Sequence, residues 1–249
     1  MIAMTEVHIA PIGFAGLGAV GVALIWAVEG LPAIGSTAAL AYLAASTAIL
    51  VVGLRRRRTS RFGEANVVTA TRSALVAIIT GLVVASFVAP IPVPLLIGLT
   101  VPALALDAVD GWVARRTDSV TELGARFDME VDSFLLLALS AYVAQTLGPW
   151  VLAIGLMRYA FLAAGWMLPW LRAPLPYRYW RKVVTAAQGI TLATAASGLV
   201  PVFASALLVA LALALLVESF GRDVVWLAAY GHARCAADHA DPEAEARAS

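Results

Sequence analysis

Apolar runs of about 20 residues, cut by short turns, limit the folds open to this chain. A helix needs about 20 mostly apolar residues to cross ~30 Å of hydrocarbon. Such runs lie near residues 9–28, 33–54, 66–89, 93–114, 127–147, 149–171, 183–200 and 202–220. The breaks fall at Gly30-Leu31-Pro32, Pro90-Ile91-Pro92-Val93-Pro94, Gly148-Pro149 and Gly198 to Pro201. Each carries Gly or Pro, as turns between antiparallel helices do. Only 13% of residues are charged and mean hydropathy is +0.88, whereas soluble domains carry about 25% charged residues. The expected fold is all-α: a polytopic membrane helix bundle of about eight transmembrane helices.

The charges set a topology. Arg55, Arg56, Arg57, Arg58 and Arg61 follow the second run; Arg115, Arg116 and Arg126 follow the fourth. Arg172, Arg178, Arg181 and Lys182 follow the sixth, and Arg222 the eighth. The turns near 30, 91, 148 and 200 carry no Lys or Arg. The positive-inside rule then puts the basic loops and both termini in the cytoplasm. The N-terminus lacks the positive region of a cleavable signal, so the first run is expected to stay as a span. Residues 55–65 are too polar to span and are expected on the membrane surface, as a topology signal or short basic helix. Net charge is +1, and no nucleic-acid partner is expected. A single cysteine, Cys235, excludes an intramolecular disulfide and a cysteine metal cluster. His8, His232 and His239 lie near the ends, which disfavours a His-rich centre.

Against this background four aspartates stand out: Asp107, Asp110, Asp128 and Asp132. An unpaired carboxylate at membrane depth costs roughly 2.5–3.5 kcal/mol, and four together repel. Asp107 and Asp110 are three apart at the basic end of the fourth run. Asp128 and Asp132 are four apart at the basic start of the fifth. Each spacing puts its pair on one helix face, so two antiparallel helices can turn all four into one space. Oxygen-only ligands suit hard ions, Mg²⁺ or Mn²⁺. Four carboxylates could hold two ions ~3.5–4 Å apart, an arrangement used for phosphoryl chemistry. Gly111, Ala114 and Gly124 would allow close approach of a ligand or backbone, and Arg115 could pair with a phosphate. Acids inside a membrane also suit a cation or proton transporter, which predicts acids near the midplane and broken spans in related halves. Here the acids cluster at one end.

The segment resembles the signature of the CDP-alcohol phosphotransferases, Asp-x2-Asp-Gly-x2-Ala-Arg-x8-Gly-x3-Asp-x3-Asp. Asp107, Asp110, Gly111, Ala114, Arg115, Gly124, Asp128 and Asp132 fill every specified position. Asn66-Val-Val-Thr69-Ala-Thr-Arg72 is similar to the Asn-x2-Thr-x2-Arg that opens the family's first catalytic span. Lys182-Val-Val-Thr185-Ala-Ala-Gln188 resembles a stretch seen in members using CDP-diacylglycerol, such as phosphatidylglycerophosphate synthases. Two positions depart from those synthases: Met129-Glu130-Val131-Asp132 replaces Pro-Leu-Ala-Asp, and Arg181 replaces Gly.

The resemblance implies a six-helix catalytic core in residues 55–232, with a two-helix N-terminal extension over 1–54. Residues 233–249 are expected to form a disordered tail. It implies a phosphatidyl transfer from CDP-diacylglycerol to an alcohol acceptor with release of CMP; a CDP-linked head group transferred to a lipid alcohol is the alternative. Asp107, Asp110 and Asp128 would hold metal, with Asp132 beside them as general base. Asn66, Thr69, Gly111, Ala114, Arg115 and Gly124 would line the CDP pocket. Arg158, a costly mid-span arginine, would hold an acceptor phosphate with Lys182, or else neutralise a buried acid. The family also implies membrane lipid as partner and allows a homodimer. Arg-rich, Lys-poor, Ala-rich composition points to a bacterial plasma membrane.

Overall fold

The computed structural model describes residues 2–57, 64–117, 122–172 and 179–240. Of these, residues 2–12, 54–57, 64–68, 107–117, 122, 123, 125, 126, 169, 172, 179 and 230–240 are described by their backbone alone. The described residues form eight α-helices. They are α1 Ile2–Glu29, α2 Ala33–Arg57, α3 Glu64–Ser86, α4 Val93–Thr117, α5 Glu122–Leu147, α6 Leu152–Met167, α7 Tyr179–Ala196 and α8 Val202–Ala240. Short 3-10 turns, Pro149–Val151 and Pro169–Arg172, flank α6, and no strand occurs among the described residues.

The helices end where Gly and Pro predict. Gly30, Gly148 and Gly198 take φ of +60°, +100° and +69°, a region that costs a Cβ-bearing residue energy and glycine little. Gly30 and Gly148 donate their backbone N–H to Trp26 and Ala144, closing the last turns of α1 and α5. Pro92 and Pro201 open the next helices, accepting bonds from Leu96 and Ser205.

Four segments among the described residues are long and apolar enough to cross a membrane: Ala33–Gly53, Thr69–Ser86, Pro149–Met167 and Val202–Ala229. Gly13–Glu29 and Val93–Leu106 are shorter apolar helices. The other two, α5 and α7, carry the polar groups: Asp128, Glu130 and Asp132 on one, Arg181, Lys182 and Gln188 on the other. α5 sits inside the bundle, whereas α7 keeps one face exposed. α5 packs on α3, α6 and α7, and α7 packs on α4, α5 and α8. The hub is α3, whose Thr69–Ser86 window is 72% buried against 22–28% for the other three segments.

Lipid tails are as apolar as leucine, so helices in a membrane associate through close packing, which small residues permit. α2 crosses α3 where Gly35 faces Gly81. A Cβ on Gly35 would lie 2.5 Å from the Gly81 carbonyl oxygen, and one on Gly81 would lie 2.7 Å from that of Gly35. Trp26 of α1 covers this crossing and donates its Nε1–H to the Pro32 carbonyl at 2.9 Å. The α1–α2 hairpin is thereby keyed into α3. On the other side, a Cβ on Gly155 of α6 would strike the backbone of Leu137 in α5.

Two expectations about the polar segments change. Arg55 to Arg57 finish α2 and residues 64–65 begin α3, so those parts of the expected surface segment belong to the long helices. Residues 58–63 lie outside the described residues. Arginine is a good helix former and is favoured at a helix C-terminus, so nothing stops α2 at Leu54. Likewise α8 does not stop near 220. It continues to Ala240 and takes in residues 233–240 of the expected disordered tail, while 241–249 lie outside the described residues. Its Ala-rich end favours helix, and Pro242 follows as the next breaker.

Candidate active site

At the end of the bundle where α2 and α4 finish in arginine-bearing turns, α3 and α5 begin. Arg72 lies eight residues into α3 and Asp128 six into α5, about 9–12 Å from the helix starts at 1.5 Å per residue. Arg72 is fully buried, and its guanidinium bridges two carboxylates. Nη1 donates to Asp128 Oδ1 at 2.6 Å, and Nη2 pairs with Asp132 Oδ1. Residues four apart on a helix sit one above the other, so one planar guanidinium reaches both with separate nitrogens. The aspartates keep 29% and 23% of their side-chain surface exposed. The arrangement is a buried cation carrying two carboxylates that face an accessible space.

Local packing fixes that cation. Ser73, next to Arg72, donates to Ser46 Oγ of α2 at 3.1 Å, and both serines are buried. Phe127, Val131 and Leu135 of α5 are buried in the same core as Val76 and Ile79 of α3, which continues the α3–α5 seam above the ion pairs. Thr69, buried one turn before Arg72, shares its face of α3.

Glu130 lies between the two aspartates in sequence but about 160–200° from them around α5, at 100° per residue. That opposite face meets α6, where Arg158 Nη2 donates to Glu130 Oε1 at 2.6 Å. Four residues on, Phe134 packs against Tyr42 of α2 with ring centroids 4.5 Å apart and the rings tilted by 32°. On α7, Lys182 is exposed, whereas Arg181 reaches Asp223 of α8 at 3.5 Å. Gln188 is fully buried and donates its side-chain amide to the Ala212 carbonyl of α8 at 2.7 Å. The Lys182–Gln188 stretch therefore divides, with Lys182 on an open face and Gln188 in the α7–α8 seam.

Of the expected site residues, Asp128, Asp132 and Thr69 converge on the Arg72 region, and Gly124 lies half-buried one turn before Asp128. Asp107, Asp110, Gly111, Ala114 and Arg115 lie in α4 and Asn66 in α3; their side chains lie outside the described residues. Arg158 is matched by Glu130 instead of standing beside Asp128 and Asp132. Sequence reasoning gave Arg72 no role of its own. The signal was present, since an arginine within an apolar run needs a partner at 72 as it does at 158. The Arg181–Asp223 pair had no comparable signal.

The donor chemistry suits a hard divalent cation. Asp128 and Asp132 offer only oxygen, share one helix face and are partly exposed. Among the described residues no three Asp, Glu, His or Cys groups come together; Asp107 and Asp110, the rest of the expected set, are outside them.

The family model for the CDP-alcohol phosphatidyltransferases matches residues 62–223. The match starts beyond α2 and ends within α8. No curated protein and no solved structure matches the chain.

Proposed function

Because this chain belongs to the CDP-alcohol phosphatidyltransferase family, membrane transferases of phospholipid biosynthesis, we propose that it uses CDP-diacylglycerol as donor. The phosphatidyl group passes to the hydroxyl of an alcohol acceptor, and CMP leaves. The observation that carries this reading is the convergence of Asp128 and Asp132 on one partly exposed face of α5, at the basic end of the bundle. The Lys182–Gln188 stretch supports the choice of donor.

Asp107, Asp110, Asp128 and Asp132 would hold Mg²⁺ or Mn²⁺. When bound, such ions neutralise the donor pyrophosphate and the departing phosphate charge. The protein's own groups do the rest. Asp132 accepts the proton of the attacking acceptor hydroxyl and orients that oxygen toward phosphorus. The P–O bond to the acceptor forms as the bond to the CMP phosphate breaks. Asn66, Thr69, Gly111, Ala114, Arg115 and Gly124 line the nucleotide side. Lys182, exposed at the start of α7, is the candidate for an acceptor's negative charge. The Arg158–Glu130 pair favours a structural role for Arg158. By the positive-inside rule the site and both termini face the cytoplasm of a bacterial plasma membrane, with the eight helices crossing it.

Purified protein with CDP-diacylglycerol and Mg²⁺ or Mn²⁺ tests the reading, using glycerol 3-phosphate, inositol phosphate, serine and phosphatidylglycerol as acceptors. The expected result is CMP release that depends on one acceptor. CMP released only from a CDP-linked head group with diacylglycerol would reverse the donor assignment.

A further inference from the structure

We propose that Arg72 is the positioning residue of the transfer site, and that its charge also restrains how tightly the site holds a divalent cation. Arg72 is fully buried, yet it bridges the two carboxylates that the proposed function puts to work, one nitrogen to each. A carboxylate on a single helix turn has several rotamers. Tied at one oxygen to a rigid planar fork, Asp128 and Asp132 each have one orientation, and the two are set relative to each other. Reaction rates respond to such placement: a misplacement of 1 Å can cost about 100-fold.

The second part follows from charge. Two carboxylates with a guanidinium among them carry a net −1, against −2 without it. A cation approaching Asp128 and Asp132 meets a weaker field and competes with Arg72 for their oxygens. Arg72 thus keeps the carboxylates from repelling one another before a cation arrives. Its setting also draws on a residue outside the matched family segment, since Ser73, its neighbour, donates to Ser46 of α2.

The proposal rests on the reading of Asp128 and Asp132 given above, so the test separates the two. Full-length protein in detergent is titrated with Mn²⁺ alone, free Mn²⁺ being read by electron paramagnetic resonance, and CMP release is measured in parallel. Arg72→Met should bind Mn²⁺ at least about tenfold more tightly than wild type while CMP release falls about 100-fold. Arg72→Lys keeps the charge but cannot fork between two carboxylates. It should hold Mn²⁺ within about threefold of wild type and still lose at least about tenfold in transfer. A folded Arg72→Met that loses Mn²⁺ binding and transfer together would make Arg72 a plain structural support and overturn the proposal. If Arg72→Met fails to fold, Arg72→Lys decides, and full transfer by that variant overturns the proposal. Wild-type protein that binds no Mn²⁺ overturns the site reading itself, and this proposal with it, before any variant is compared.

Discussion

Arg158 of α6 and Glu130 of α5 form an ion pair at 2.6 Å on the side of α5 turned away from Asp128 and Asp132. Its side chains are 27% and 45% exposed, and Glu130 stands where the similar synthases carry leucine. A partly exposed pair couples by about 1 kcal/mol or less. Arg158→Ala and Glu130→Ala should each lower thermal stability in detergent. The double variant should lose less than the sum of the two. If the pair serves only to support the bundle, acceptor KM should stay within about twofold of wild type. A large rise in KM for Arg158→Ala alone would instead place the acceptor at α6.

The Gly35–Gly81 crossing yields a second prediction. Gly35→Ala puts a methyl group against the Gly81 carbonyl and the Trp26 ring. Overpacking of this kind costs about 1–3 kcal/mol. The melting temperature should fall, while transfer per folded molecule stays near wild type. Unchanged stability would mean that α2 does not cross α3 at these glycines.

Gln188 separates packing from chemistry on α7. Its amide donates to Ala212 across the α7–α8 seam, but its buried Oε1 finds no partner. Gln188→Leu removes both groups and should change stability by no more than about 1 kcal/mol, with CMP release retained. A tenfold loss of transfer in a folded variant would show that Gln188 touches substrate.

Metal removal gives a fourth prediction. Chelation with EDTA should abolish CMP release, and Mg²⁺ or Mn²⁺ should restore it; Ca²⁺, which takes more ligands at longer distances, should restore less. Transfer that survives chelation would exclude the metal role given to the aspartates.

Much of this was legible in the chain. Glycine and proline marked the helix ends, because left-handed turns and missing N–H donors are properties of single residues. The i, i+4 spacing placed Asp128 and Asp132 on one face, because helix geometry is local. Partners across helices were not legible. Arg72 and Arg158 look alike in sequence, each a lone cation in an apolar run. Only the packing of α3 and α6 on opposite faces of α5 separates them. Helix length at Arg55 and beyond Phe220 is not legible in hydropathy for a related reason. Hydropathy marks the span a membrane covers, but a helix continues into water until a breaker stops it.

The central claim is that Asp128 and Asp132 carry a metal-dependent transfer from a CDP-linked donor. Its most direct measurement is CMP release from CDP-diacylglycerol by wild type, Asp128→Asn and Asp132→Asn, each shown to be folded, with Mg²⁺ and the acceptor found by screening. The account predicts acceptor-dependent release by wild type and a loss of at least about 100-fold in each variant. Near wild-type release by either variant would contradict it.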